Sequence, residues 1–416
     1  MIKSRISVQL LIPIMLCIVL FVGTGVNESE FIISDIKTVS ATAGTFISAE
    51  INDDTIWDLS QSPYIVIEDI TLSSNSKLTI EAGVEIFFYP GTTLNIRGDL
   101  NITGSESNRV TFTSYNGTWQ GLHILTHYGG TAIIKFTNFF NANTAIDISP
   151  SHPGYPVVKI YDCMFINNSV GLGGYVGYGG TLVDRCLFEN NTYGITRTDY
   201  DVYNSVFKNN TCGIYQTEKV NVYFSEFFGN QVGLFGGRAE IKFNKIYNNG
   251  IGVKGFFEGF TILNNTITNN DIGVIPMPYT CPCNLHTHTP IKFNNIFDNK
   301  INLQNTVETE KFAQYNWWGT MNTTEIDLKI YDGLDNDSLG KVSYIPMLTK
   351  PVTILLPPST DSAITQETSF TTISTITSTA PSSTTGSLAS PGWPTLIFII
   401  AMLAIISFRM FRRRYR

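Results

Sequence analysis

The sequence predicts an all-β chain wound as a parallel β-helix, and three observations predict it. A phrase of two asparagines, two variable residues, a glycine and an aliphatic residue returns about every twenty residues, the period of a solenoid. Apolar residues registered on that glycine fall into three columns. The N-terminal half alternates with period two, and no stretch from 60 to 350 carries the period of an amphipathic helix.

The phrase reads Asn167-Asn168 before Gly171, Asn190-Asn191 before Gly194, Asn209-Asn210 before Gly213, Asn248-Asn249 before Gly252 and Asn269-Asn270 before Gly273. Degenerate copies place Asn230 before Gly233 and Asn299 before Asn302. Eleven residues ahead of this anchor stand Ile160, Val183, Val202, Val222, Ile241, Ile262 and Ile291. Six ahead stand Phe165, Phe188, Phe207, Phe227, Ile246, Ile267 and Ile296; one after stand Leu172, Ile195, Ile214, Leu234, Val253, Val274 and Leu303. Three apolar columns per coil make three walls around one core. The asparagine three before each anchor suits a corner, because it tolerates a left-handed backbone and its amide can bond from coil to coil. Upstream, Leu78 and Ile80, Ile86 and Phe88, Leu94 and Ile96 and Val110 and Phe112 alternate between glycine and proline turns. A leucine-rich horseshoe would need helical spacing on one side, which is absent. Parallel strands without crossover helices close as a β-helix, each coil covering the edge of the one below.

The run from Leu78 to Ser114, the asparagine phrase and Tyr315-Asn-Trp-Trp-Gly-Thr320 resemble the right-handed parallel β-helix repeat proteins of the pectin-lyase-like superfamily. More narrowly they resemble the carbohydrate-binding and sugar-hydrolase group of archaeal surface proteins. The resemblance covers residues 60 to 350 and implies a right-handed coil and a carbohydrate ligand. It leaves activity open, since one scaffold serves many functions.

The ends set an expected location. Lys3 and Arg5 precede an apolar stretch from Ile6 to Val22, the layout of a secretory signal, here 1–26. Residues 27–60 are expected to cap a β-helix over 61–350. More than half of Ser359 to Ser390 is serine or threonine, so 351–390 reads as an extended stalk. Within 391–416 an uncharged run from Thr395 to Phe408 meets an arginine-rich tail, which reads as a transmembrane helix with its tail in the cytoplasm and the rest at the cell surface. Pro391-Gly392-Trp393 is similar to archaeal Pro-Gly-Phe sorting signals, with tryptophan in place of phenylalanine.

Lys3, Arg5 and the five C-terminal arginines lie in those ends, and all 34 acidic residues lie between them. The intervening chain is therefore more acidic than the whole-chain net charge of −7, which argues against a nucleic-acid partner. The expected partners are an extracellular polysaccharide or a surface glycoprotein. Sequons fall at Asn27, Asn101, Asn116, Asn167, Asn190, Asn209, Asn264, Asn322 and Asn336, and Asn101, Asn116 and Asn322 read as better acceptors than the corner asparagines.

Candidate chemistry is sparse. The position five before the anchor shows no stacked carboxylates; Asp184, Asp199 and Asp201 are close in sequence and could meet near one coil edge for acid and base roles. Ten before the anchor, Tyr161, Asp184, Tyr203, Tyr223 and Lys242 form a column of mixed polarity and so an outward face, where stacked tyrosines can offer a platform to sugar rings. Exposed tyrosines that merely favour the strand are the plainer reading. Cys281, Cys283, His286 and His288 form a soft ligand set for zinc or copper, although an oxidising exterior also permits disulfides. Cys163 and Cys186 share one column on adjacent coils, close enough for a disulfide at the expense of local distortion. The carboxylates from Asp332 to Asp337 suggest calcium, without matching an EF-hand loop. Glycan or surface-protein binding is the expectation, with a polysaccharide lyase or glycoside hydrolase, a metal-handling protein or a structural surface component as alternatives.

Overall fold

A computed structural model describes residues 44–354 apart from 126–129, 150–156, 175–180, 198–199, 256–260 and 277–290, and apart from the side chains of 216–219 and 238. The expected secretory signal, most of the stalk and the C-terminal anchor lie outside the described residues. Among the described residues, no helix is long and apolar enough to cross a membrane.

The chain is a parallel β-helix whose register follows the sequence columns. One wall is a twelve-stranded parallel sheet containing Met164–Ile166, Leu187–Glu189, Val206–Lys208, Glu226–Phe228 and Lys245–Tyr247. The second wall contains Val170–Gly173, Tyr193–Thr196 and Ile251–Gly255, and the third Val157–Tyr161, Thr181–Asp184 and Tyr200–Tyr203. Two long strands, Cys212–Tyr223 and Val232–Lys242, run through the corner between the second and third walls, merging them into one 21-stranded sheet.

The core is stacked coil on coil. Phe165, Phe188, Phe207 and Phe227 lie with ring centroids 4.7, 4.7 and 4.6 Å apart and nearly parallel faces. Upstream, Phe139, Phe112 and Phe88 extend the row to Trp119, which is fully buried. The anchor glycine also has a steric cause: a Cβ at Gly194 would sit 2.4 Å from the Gly213 carbonyl oxygen of the next coil.

The two asparagines of each phrase divide the work expected of one. The first, as Asn167, Asn190, Asn209, Asn248 and Asn269, takes the left-handed backbone and points outward. The second is buried and forms the ladder: the backbone N–H and Nδ2 of Asn191 donate to Oδ1 of Asn210 at 2.9 and 3.1 Å. The same pattern repeats from Asn168 through Asn270 to Asn299. A second interior ladder, not anticipated, runs through Asn244, Asn265, Asn294 and Asn316, continuing the buried Ser205 and Ser225.

Thr45–Ile47 already pairs with Tyr64–Val66 and Thr55–Trp57 with Leu78–Ile80, so coiling begins well before residue 61. At the other end a one-turn helix, Thr323–Asp327, is capped by Asn322, buries Ile326, and precedes Ile330–Tyr331, which pairs with Leu303–Gln304. Val352 exchanges two hydrogen bonds with the Asn295 side chain, tying residue 352 to the first wall.

Candidate functional site

The third wall presents two outward columns. Tyr161, Asp184, Tyr203, Tyr223 and Lys242 are successive register partners, all half-buried, as the sequence column predicts. Beside them Leu182, Asp201, Asn221 and Glu240 form the second column, because residues two apart on a strand share a face. Tyr203 and Tyr223 stack at 5.1 Å with a 20° interplanar angle, whereas Asp184 separates Tyr161 from them.

Hydrogen bonds hold this surface in place. The Tyr223 hydroxyl donates to Glu240 Oε2 at 2.7 Å, and Lys242 Nζ bonds the same oxygen at 2.7 Å. Asn221 Nδ2 donates to Asp201 Oδ1 at 2.7 Å, and Asn204 Nδ2 to Asp184 Oδ1 at 2.8 Å. Arg185 grips Asp162 through two bonds of 2.7 and 2.8 Å and also pairs with Asp184. Its guanidinium lies 5.9 Å from the Tyr161 ring centroid. Burial pushes the Tyr203 phenol pKa up, helped by the charges of Asp201, Asp184 and Glu240. Burial and the Glu240 hydrogen bond raise Tyr223 further. Both phenols are therefore neutral hydrogen-bonding groups at physiological pH.

Of the proposed catalytic carboxylates, Asp199 lies outside the described residues. Asp184 and Asp201 sit on adjacent coils in neighbouring columns. Asp184 is committed to Arg185 and Asn204, and an ion-paired carboxylate is a poor general acid. Lys242 pairs with Glu240 at 2.7 Å, a contact that orders the face and leaves further ammonium N–H donors.

The long strand Cys212–Tyr223, which carries Tyr223, also carries one member of a second aromatic stack that sequence reasoning overlooked. Tyr215 and Phe235 on the second wall stack at 5.0 Å, with Lys254 5.5 Å from the Phe235 ring centroid. The column two after the anchor, reading Thr196, Tyr215, Phe235 and Lys254, was the available signal. In neighbouring coils residues are inserted at the corner between these walls, as between Ile251–Gly255 and Thr261–Leu263, but Cys212–Tyr223 and Val232–Lys242 pass it without a break. The two long strands carry the Tyr215–Phe235 pair, while the tyrosine pair has Tyr223 at the far end of the first of them and Tyr203 on the separate strand Tyr200–Tyr203.

Cys281, Cys283, His286 and His288 lie outside the described residues. Among the described residues no group of three or more histidines, cysteines and carboxylates is arranged to hold a metal ion. The calcium expectation is corrected at Asp332: its Oδ1 accepts from the Leu334 N–H at 2.8 Å and its Oδ2 from the Val342 N–H at 2.5 Å, making a buried turn. Cys163 and Cys186 are buried free thiols, not a disulfide. Each thiol points at a backbone carbonyl, Cys163 at Tyr161 and Cys186 at Asp184, so no distortion toward a bridge is required.

Over 69 residues, 17% of this chain, the sequence is 39% identical to Protein bark beetle of Drosophila melanogaster, and the matched stretch spans 2% of that protein. No family model and no solved structure matches the chain.

Proposed function

We propose that this chain is an exported, membrane-anchored β-helix of the right-handed, pectin-lyase-like type that binds glycans through its third wall. The stacked, outward Tyr203 and Tyr223 carry the reading. Flat aromatic faces suit the apolar faces of sugar rings, and the neighbouring Asn221, Asp201, Glu240 and Lys242 offer donors and acceptors to hydroxyls. The prior ordering of these groups by their own hydrogen bonds lowers the entropy lost on binding. Secretion, the stalk and the anchor enter through the sequence of the two ends, and the acidic intervening chain suits an extracellular surface.

The test is binding of the full chain to a panel of polysaccharides, with reducing-end release followed in parallel. Saturable binding without release, weakened about tenfold or more in Tyr203→Ala/Tyr223→Ala, is expected. Release of new reducing ends would replace the binding module with a hydrolase or lyase. Equal binding by the variant would place the ligand on another face.

A further inference from the structure

The corner between the first and second walls displays a row of asparagine side chains with nothing to do. Asn167, Asn190 and Asn209 are exposed, lie at φ 57, 55 and 57°, and make no side-chain hydrogen bond among the described residues. Their neighbours Asn168, Asn191 and Asn210 are buried and fully engaged in the interior ladder. Two residues on, Ser169, Thr192 and Thr211 are exposed as well. We propose that this corner is an array of N-glycan acceptors, one on each of three successive coils, on an edge that does not border the tyrosine wall.

The structure sets Asn101 and Asn322 below the corner row, while Asn116 stays exposed. Asn322 is spent as a helix cap, its Oδ1 accepting from Thr324 N–H at 3.1 Å and its Nδ2 bonding Glu325 at 3.0 Å. Asn101 is half-buried within the strand Asp99–Thr103 of the third wall. Asn336 accepts from the backbone and hydroxyl of Ser338. A glycan on Asn322 Nδ2 must displace its bond to Glu325, and one on Asn101 must stand on a half-buried strand face. On the corner row a glycan breaks no such contact, because the ladder is carried by the second asparagine of each pair. Asn248 and Asn269 supply built-in controls, being exposed at the same corner with φ 54 and 55° but followed by Gly250 and Asp271 where the acceptor motif needs a hydroxyl.

The step joins Asn Nδ2 to the anomeric carbon of an oligosaccharide carried on a polyprenyl diphosphate. The C–O bond to the diphosphate breaks, the lipid diphosphate leaves with its electron pair, and the amide proton passes to the transferase. Meaning in the cell rests on the exported reading, but the chemistry is separable from it. The full chain is expressed behind a host leader in an N-glycosylating host. Glycans are cleaved from its peptides by peptide-N-glycosidase in heavy-oxygen water, which marks each formerly glycosylated asparagine as labelled aspartate. Label at Asn167, Asn190 and Asn209, absent from Asn248 and Asn269, and lost from each site with its own Ser169→Ala, Thr192→Ala or Thr211→Ala, is the expected result. Absence of label from all three corner sites overturns the proposal, most directly where the exposed sequon at Asn116 is labelled. Polysaccharide binding by the same chain fails or succeeds independently of this result.

Discussion

Replacing Asn230 by alanine removes one rung of the interior ladder and should open the solenoid locally. Asn230 Oδ1 accepts from the Asn210 backbone N–H at 2.9 Å and from Asn210 Nδ2 at 3.0 Å. Its Nδ2 donates to the carbonyls of Phe207 and Phe228 at 2.9 and 3.2 Å and to Asn249 Oδ1 at 2.9 Å. After substitution Asn210 Nδ2 keeps the Phe188 carbonyl, Asn249 Oδ1 keeps the residue 230 N–H, and the Phe228 carbonyl keeps the Asn209 N–H. The lasting losses are the buried Asn210 N–H and the bond to the Phe207 carbonyl. At about 1–3 kcal/mol for an unsatisfied buried donor and about 1 for a lost bond, the cost is about 2–4 kcal/mol. Coils of a solenoid interact only with their neighbours, so the change should appear locally. Amide hydrogen exchange in Val206–Lys208 and Glu226–Phe228 should quicken by about 30- to 1,000-fold, at a tenfold change per 1.4 kcal/mol. Asn209→Gly is the control: its side chain is exposed and unbonded, and Gly229 already fills that position one coil on. A change below threefold in Asn230→Ala, or an equal one in Asn209→Gly, would refute the ladder as a source of stability.

Three further outcomes are expected. Gly194→Ala should cost about 1–3 kcal/mol, read from the urea midpoint, because its Cβ falls 2.4 Å from the Gly213 carbonyl oxygen; an unchanged midpoint would mean that the coils can separate freely. Tyr200 and Tyr223 both have phenol pKa values raised above the ordinary 10.0, by burial and, for Tyr223, by Glu240. Ionisation then favours the unfolded chain, so this stability is complete below pH 10 and falls as pH rises above it, more steeply than in Tyr200→Phe/Tyr223→Phe; parallel pH curves would contradict the burial. Thiol reagents should label Cys163, Cys186 and Cys212 only after unfolding, since all three are buried and the Cys212 thiol is pushed up to about 12 by burial; labelling of the native chain at the rate of a free thiol would contradict this.

The repeat made the walls legible because each interior position takes one residue type through many coils. Ile160, Val183, Val202 and Val222 could be placed in register before any coordinates, as could the outward column from Tyr161 to Lys242. The division between the two asparagines was not legible, since both tolerate a corner and only burial separates Asn190 from Asn191. The second ladder hid behind its own chemical drift, from Cys163 and Cys186 through Ser205 to Asn244, a column with no single composition. Asp184 looked available for chemistry because its partners, Arg185 and Asn204, meet it by a corner turn and a coil crossing rather than by a motif. The start of coiling at Thr45 was missed because Thr45–Ile47 and Thr55–Trp57 are too short to show alternation.

The most direct test of glycan binding at the third wall is tyrosine nitration of the full chain with and without a saturating polysaccharide that it retains. Tyr89 and Tyr115 give an internal reference, being a stacked pair 40% and 54% exposed, away from the proposed face. Bound ligand should protect Tyr203 and Tyr223 and leave Tyr89 and Tyr115 reactive. Equal nitration of Tyr203 and Tyr223 in both states, with protection appearing elsewhere, would contradict the proposed face.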